Sequence, residues 1–219
     1  MDDAQTGTRG GTGRPKGRPL SFDRDQALRQ AMLVFWRHGY ETTSVAGLVA
    51  AMGITPPSLY AAFGDKKGLF LEAVRLYAGD PRETERAIAE APSARDAARE
   101  VLHASAVLYT GADTPPGCLL ASATASGSAA SAEVQAAVAQ VRRTTEDALR
   151  RRVEADVAAG LLPADTPSQA LAALTLAVVQ GMSVLARDGA PRAKLAALAD
   201  QALQAWPAVG HGGTPPIPA

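Results

Sequence analysis

The apolar positions of this chain recur with the period of an α-helix almost from end to end. In the first segment they fall at i, i+3, i+4, i+7 and i+8, at Leu28, Ala31, Met32, Phe35 and Trp36. Asp23 precedes this segment as a candidate N-cap, with Gln26 three residues later, and Gly39 ends it. No run alternates with the period of two that strands require, so the pattern predicts an all-α fold.

The breaks between helical segments divide the chain into two parts. Short helices are predicted from a Thr43 cap to Met52, over 56–63 and from about 65 to 80. Beyond Pro81 the helices become longer and richer in alanine, and they are predicted at 82–90, 94–110, 118–127, 132–159, 167–187 and 192–205. Residues 1–20 and 207–219 carry little that could be buried, and both ends are predicted to be disordered.

One helical segment, residues 170–186, contains no charge. It is short for a membrane span, holds Gln180, has Gln169 just before it, and lacks flanking aromatic residues, so burial in a helix bundle is the better interpretation. Together with the helix at 192–205 it presents more apolar surface than a monomer of this size needs. The two helices, near 167–187 and 192–205, are therefore predicted to form a homodimer interface.

The composition excludes several functions. In 219 residues there are one cysteine and three histidines, which give neither a disulfide framework nor the spacing of metal ligands, so no metal and no cofactor is predicted. The chain has no glycine-rich phosphate loop and no nucleophile with an identifiable base, so it is not expected to be an enzyme. It begins without the apolar segment of a signal peptide, and a cytoplasmic location is predicted.

Residues 45–63 carry the pattern with the most functional content. They form two short helices joined by a tight turn at Gly53, with apolar residues at the inner positions. This is the pattern of a helix-turn-helix, in which the second helix enters the major groove of DNA. Taken alone, an ordinary corner between two helices of a bundle explains it equally well.

A wider set of residues resembles the DNA-binding domain of the tetracycline-repressor (TetR/AcrR) family. The resemblance covers residues 22–77 and is carried by Gly39-Tyr40, Thr43-Ser44, Gly53-Ile54-Thr55, Ser58-Leu59-Tyr60, Phe63, Asp65-Lys66 and Leu69. It implies a helix-turn-helix domain at 21–64 and a larger helical domain for effector binding and dimerisation at 65–206.

The same resemblance implies which residues meet double-stranded DNA. Those expected to hold the DNA backbone are Thr43, Ser44, Thr55, Tyr60 and Lys66, with Thr55 also capping the second helix. The exposed face of that helix, which would read bases, carries Pro56, Pro57, Ser58 and Ala61. Family members often have Lys, Gly, Arg or His in this stretch. This chain has few hydrogen-bond donors there, so it is expected to make few direct contacts to base edges.

The N-terminal arm contains two Gly-Arg-Pro units within residues 13–19. In an extended chain Arg14 and Arg18 would enter a narrow minor groove and favour A·T-rich flanks. A solubilising tail explains the same composition, and both interpretations stay open.

Four residues are candidates for contacts to a small-molecule effector, namely His103, Tyr109, Cys118 and Met182. Cys118 follows Pro115-Pro116-Gly117 at a predicted helix start, where a thiol could serve as a redox or electrophile sensor. A lone cysteine among apolar neighbours is more often a small core residue. The other three are equally reasonable as packing or surface residues.

The formal net charge is zero, but it is an average over two unlike parts. Residues 9–70 hold nine basic and four acidic side chains, whereas 71–219 are mildly acidic. The basic part coincides with the helix-turn-helix, as DNA binding requires. The sequence therefore predicts a homodimeric, ligand-responsive repressor that binds a near-palindromic operator. The alternatives are an activator, a sensor acting through Cys118, a non-specific architectural protein acting through the arm, and a helical carrier or enzyme that does not bind DNA.

Overall fold

The computed structural model describes residues 22–122 and 131–207, and within these ranges the chain is helical with no strand. Its helices are α1 (Arg24–His38), α2 (Val45–Met52), α3 (Pro56–Phe63), α4 (Lys66–Ala78), α5 (Pro81–Glu90), α6 (Ala94–Tyr109), α7 (Leu119–Ser122), α8 (Ala132–Ala158), α9 (Ser168–Arg187) and α10 (Arg192–Ala202), followed by a 3₁₀ turn at Leu203–Ala205. The all-α prediction is confirmed. Of the helix predicted at 118–127, the part beyond Ser122 lies outside the described residues.

Helices α1 to α4 pack around a small aromatic core. The Phe35 ring meets the Phe70 ring edge-on, with centroids 5.0 Å apart, and so ties α1 to α4. The α2 and α3 axes differ by 91° across the turn at Gly53, whose φ of 65° lies in the left-handed region that glycine adopts without strain. Leu48 and Leu59 on the inner sides of α2 and α3 are completely buried. The helix-turn-helix is thus held by its own core.

The start of α2 differs from the sequence prediction. Ser44 is the N-cap, because its side-chain oxygen accepts from the Gly47 N–H at 3.1 Å. Thr43 is buried, and its hydroxyl donates to the Gly39 carbonyl at 2.6 Å. The prediction that Thr43 caps this helix was wrong, because the packing of the α1–α2 connection turns its side chain inward.

The second part of the chain is a bundle in which α6, α8, α9 and α10 pack together and α5 lies against α8. Its largest completely buried side chains include Leu102, Leu149, Met182 and Leu195, one from each of the four bundle helices.

Helix α9 is long and apolar enough to cross a membrane, with a mean hydropathy of 1.7. Its apolar residues nevertheless divide into two faces. One face is buried in the bundle and comprises Leu171, Ala172, Thr175, Val179, Met182, Ser183 and Ala186. The other is exposed and comprises Ala170, Ala173, Leu174, Ala177, Gly181 and Val184. A buried face that includes Thr175 and Ser183 is that of a core helix, and the exposed face leaves an apolar stripe available to a partner.

The two parts meet at a junction made by Trp36 at the end of α1, Gly117 and Ser122 around α7, and Arg187 at the end of α9. The indole Nε1 of Trp36 donates to the Gly117 carbonyl at 2.9 Å. The Trp36 carbonyl accepts from the Arg187 guanidinium at 3.1 Å and from the Ser122 hydroxyl at 3.0 Å. Because these bonds join three separate segments, the junction fixes the orientation of α1 relative to α9.

Gly117 is required at this junction by both conformation and space. Its φ is 80°, and a Cβ built on it would lie 2.7 Å from the Ser183 carbonyl oxygen, which is backbone and cannot move aside cheaply. We expect Gly117→Ala to lower the free energy of unfolding by about 2 kcal/mol more than the matched change Gly160→Ala. Gly160 also has a positive φ, 72°, but a Cβ there meets no atom within 4 Å.

Urea unfolding of the two glycine variants, at one protein concentration, tests this expectation. Gly160→Ala carries the backbone strain alone, so the difference between the variants isolates the close approach of Gly117 to α9. Equal losses of stability would mean that the junction is looser than its distances indicate.

Candidate nucleic-acid interface and ligand cavity

The N-termini of α2, α3 and α4 form one candidate surface for nucleic acid. Ser44 is exposed at the start of α2, and Thr55 is exposed at the start of α3. The first N–H groups of a helix have no partner within the helix, and its positive dipole end favours an anion. At the start of α2 the surface thus offers N–H groups and partial positive charge, which suit phosphate oxygens, whereas Pro56 and Pro57 leave the start of α3 with few N–H donors.

Helix α3 carries the residues expected to read bases. Pro56, Pro57 and Ala61 are exposed, as is Tyr60, at 51%. Ser58 is only partly exposed, and its hydroxyl lies 2.9 Å from that of Thr55. Thr55 occupies the N-cap position as predicted but makes no side-chain bond to the helix backbone. Since proline has no N–H, the first turn of α3 offers that side chain few donors to accept from.

Lys66, at the first position of α4, lies against the connection between α1 and α2 rather than extending freely into solvent. Its Nζ donates to the Glu41 carbonyl at 3.3 Å and sits 4.5 Å from the centroid of the Tyr40 ring. Partial burial lowers the pKa of this lysine, while the charge of Glu41 opposes the shift. The neighbouring Lys67 instead pairs with Glu133 of α8 at 2.7 Å. Of the two lysines, therefore, Lys66 is the one held at the candidate interface.

Arg24 makes the scaffold under this surface rigid. Its guanidinium donates to both carboxylate oxygens of Glu72 at 2.8 Å and to the Ala62 carbonyl at 3.1 Å. It also lies 4.4 Å from the centroid of the Phe63 ring. One side chain of α1 thereby holds the C-terminal end of α3 against α4. The arm residues Arg14 and Arg18 lie outside the described residues.

A cavity of about 260 Å³ lies among α4, α6, α8 and α9, with α7 at one end. Of the predicted ligand contacts, Tyr109 and Cys118 line it. The other two predicted contacts, His103 and Met182, are not among the residues that line it, and their role in ligand binding stays a prediction. His103 instead faces α10, with its Nε2 2.9 Å from Asp200, and Met182 is completely buried in the bundle core. Both belong to helices that border the cavity.

The cavity contains a cluster of tyrosines around the thiol. The Tyr77 hydroxyl donates to Cys118 Sγ at 3.3 Å, and the Tyr109 side chain lines the cavity beside this thiol and interacts with it electrostatically. Burial raises the pKa of both tyrosines well above the ordinary value, and charge on Cys118 would raise it further. Both phenols are therefore protonated donors at neutral pH. Cys118 is itself 3% exposed, and its proposed role as a sensor stays a prediction.

Sequence reasoning missed several residues of the cavity. Ser105, Arg142, Thr145 and Gln180 also line it. Arg142 follows Val138 by four residues on α8, which places both on one side of that helix, and this spacing could have found it. In residues 22–122 and 131–207, no group of three His, Cys, Asp or Glu side chains could hold a metal ion.

A helix-turn-helix domain joined to a helical domain that contains a cavity is the architecture of ligand-responsive transcriptional regulators. Residues 27–73 match the family profile described as bacterial regulatory proteins, tetR family, and residues 94–201 match the tetracyclin repressor-like C-terminal domain. The chain belongs to the TetR family of DNA-binding regulators, which are not enzymes.

Individual relatives agree with this assignment. The chain is 35% identical over 194 residues to the HTH-type transcriptional repressor ComR of Escherichia coli, covering 88% of this chain and 92% of that protein. Cysteine-substituted variants of the TetR family regulator CifR, solved with 26-bp double-stranded operator DNA, are 43% identical, and one superposes with a TM-score of 0.80 over 87% of this chain and all of the other. A TetR regulator from Rhodococcus sp. RHA1 is 37% identical, with a TM-score of 0.57 over 84% of this chain.

Proposed function

We propose that this regulator acts in the bacterial cytoplasm as a homodimeric repressor, which binds a near-palindromic operator and leaves it when a small molecule occupies the cavity. The observation that carries the proposal is the junction at Trp36, which connects the cavity to the helix-turn-helix. The Tyr77 ring in the cavity wall meets the Trp36 ring edge-on at 4.8 Å, and Trp36 lies in the last turn of α1. A ligand that moves Tyr77 therefore acts on the helix against which α2 and α4 pack.

DNA binding is proposed to divide between positioning and reading. Ser44, Tyr60 and Lys66 would bind phosphates, because they surround the helix starts on the candidate surface. Pro56, Pro57 and Ala61 would contact thymine methyl groups, and Ser58 would supply the one hydroxyl on that face. With so few donors on α3, much of the sequence preference would come from DNA shape and from the arm residues Arg14 and Arg18.

The dimer is proposed to form through the exposed apolar stripe of α9 together with α10. Leu174 is 39% and Val184 57% exposed, and Gly181 between them has open space where a Cβ would lie. A second copy fits this stripe because a two-fold axis places the same small and apolar side chains opposite one another. The 26-bp operator in the CifR complexes spans more than two helical turns of about 10 bp, which is room for two half-sites.

Release from DNA requires the ligand to bind one conformation of the protein more tightly than the other. A hundred-fold loss of operator affinity needs a differential binding free energy of about 2.7 kcal/mol. In an activator, the ligand would instead bind the DNA-bound conformation more tightly than the free one.

A DNase footprint of the purified protein on the DNA upstream of its own gene, with and without candidate effectors, tests the proposal. Absence of protection at low salt, both there and in selections from genomic DNA, would overturn it.

Lys66 gives a direct test of the proposed phosphate contacts. We expect Lys66→Gln to weaken operator binding and to reduce the slope of log affinity against log salt by about one, because one phosphate charge is no longer neutralised. The loss should be nearly the same on specific and non-specific DNA, since a phosphate contact carries no sequence information.

The matched control for this test is Lys67→Gln, since Lys67 already pairs with Glu133. Fluorescence anisotropy of labelled duplexes over a range of salt concentrations measures both variants. If Lys67→Gln lowers the salt slope and Lys66→Gln does not, the interface has been assigned to the wrong lysine.

A further inference from the structure

The charged and polar side chains that line the cavity indicate the chemical class of its ligand. Among the described residues that line it, none is Asp or Glu, and Arg142 is the one side chain that carries a full charge at neutral pH. The adjoining cavity of about 120 Å³, lined in part by Ala78, Val141 and Thr145 that both cavities share, also has no acidic lining residue. We infer that the effector is a small monocarboxylate with an apolar body. This inference rests on the proposed function.

Arg142 supplies the charge that a carboxylate would meet. Among the described residues its guanidinium makes one long hydrogen bond, from Nη1 to the Leu120 carbonyl at 3.5 Å. Within the described residues it forms no ion pair, and the stretch 123–130 contains no acidic residue by sequence. Arginine binds carboxylates through two parallel N–H donors, and a partly buried guanidinium gains more from an anion than one in open water.

The tyrosine cluster adds two hydroxyl groups that can donate to a ligand. The Tyr77 hydroxyl donates to the sulfur of Cys118, which is a weak acceptor, and the Tyr109 hydroxyl interacts with the same thiol and with the Ser105 hydroxyl. A ligand oxygen accepts these bonds better than sulfur does. Since both phenols stay protonated, they can only favour an oxygen that accepts, and a carboxylate accepts at both of its oxygens.

The remaining walls set the size and character of the ligand body. They include Val101, Leu108, Val141, Leu176 and Val179 from three helices, so the body that they contact is apolar. The volume of about 260 Å³ is just below the roughly 300–1,000 Å³ usual for sites of drug-sized ligands. Benzoate and hexanoate are acids of suitable size, and each has a neutral amide and a cationic amine of nearly the same shape.

Calorimetric titration of the full chain with these acids, amides and amines tests the inference. We expect each acid to bind about ten-fold or more tightly than its amide, and the amine to bind more weakly than either. In Arg142→Gln the preference for acid over amide should fall to within about two-fold. Arg143→Gln is the matched control and should keep the preference, because Arg143 is exposed and bonds to Gln140 at 2.8 Å.

The possible outcomes separate this inference from the proposed function. Equal binding of acid and amide, an acid preference that survives in Arg142→Gln, or no binding of either acid at millimolar concentration would each overturn the carboxylate class. Anisotropy on the operator is measured in parallel. Operator binding without acid preference leaves the repressor proposal standing, whereas acid binding without operator binding removes the repressor proposal and keeps the site.

Discussion

The double variant Leu174→Glu/Val184→Glu is expected to be a folded monomer that has lost high-affinity operator binding. Both side chains lie on the exposed face of α9, so the bundle core is untouched, and substitutions at such positions usually change stability by about 0.5 kcal/mol or less. Across a two-fold axis the four new carboxylates would face one another in an apolar contact, which charges destabilise strongly.

The expected loss of operator affinity is about 100-fold or more, because a monomer binds one half-site without the gain in effective concentration that a second linked domain supplies. Size-exclusion chromatography with light scattering measures the oligomeric state, and anisotropy measures binding. Leu76→Glu is the control, since Leu76 is a similarly exposed apolar residue, at 43%, on α4. A double variant that stays dimeric would show that another surface forms the interface.

Asp156→Ala is expected to cost about 3 kcal/mol of unfolding free energy, the largest loss of stability from one polar side chain in the bundle. Asp156 is 1% exposed on α8, and its carboxylate accepts from the Ala94 N–H at 2.7 Å and lies 2.6 Å from an Arg152 guanidinium nitrogen. It therefore places negative charge at the N-terminus of α6 and neutralises a nearly buried arginine. Its removal leaves a buried donor and a buried charge without their partner.

The matched control is Asp147→Ala on the same helix. Asp147 is exposed and lies 3.6 Å from Arg150, a surface pair for which a change of about 0.5 kcal/mol or less is expected. Urea unfolding of both variants at one protein concentration gives the comparison, because a dimer's stability depends on concentration. A loss below about 1 kcal/mol for Asp156→Ala would mean that water replaces the carboxylate at both partners.

The ends of the helices were predictable because capping residues and glycines close to each end determine them. Asp23 caps α1 as the sequence predicts, with its carboxylate 2.9 Å from the Gln26 N–H, and glycines follow α1, α2 and α4. The cap of α2 was misassigned to Thr43 for a physical reason. Adjacent hydroxyl residues are equivalent as local signals, and only the packing of α1 against α2 determines which one faces inward.

The residues that line the cavity could be predicted only in part, because the rotation of each helix about its own axis decides which of its side chains face the cavity. Met182 and Gln180 lie within one turn of α9, but the first is in the core and the second lines the cavity. His103 and Tyr109 share α6 and face different neighbours, Asp200 in one case and Cys118 in the other. Periodicity identifies the apolar side of a helix, but it does not say which neighbour that side meets.

The sequence by itself determined the all-helical class and the basic N-terminal part, since each follows from local spacing, capping and charge. It distinguished the helix-turn-helix from an ordinary helix corner only through the resemblance of residues 22–77 to the tetracycline-repressor family. Only the tertiary structure decided that Trp36, Gly117 and Arg187 form one junction, and that Arg142 shares a cavity with two tyrosines and a thiol. Those groupings join residues more than 60 positions apart, from Tyr77 to Arg142 in the cavity and from Trp36 to Arg187 at the junction. They depend on the crossing of helices, which the pattern along one helix does not encode.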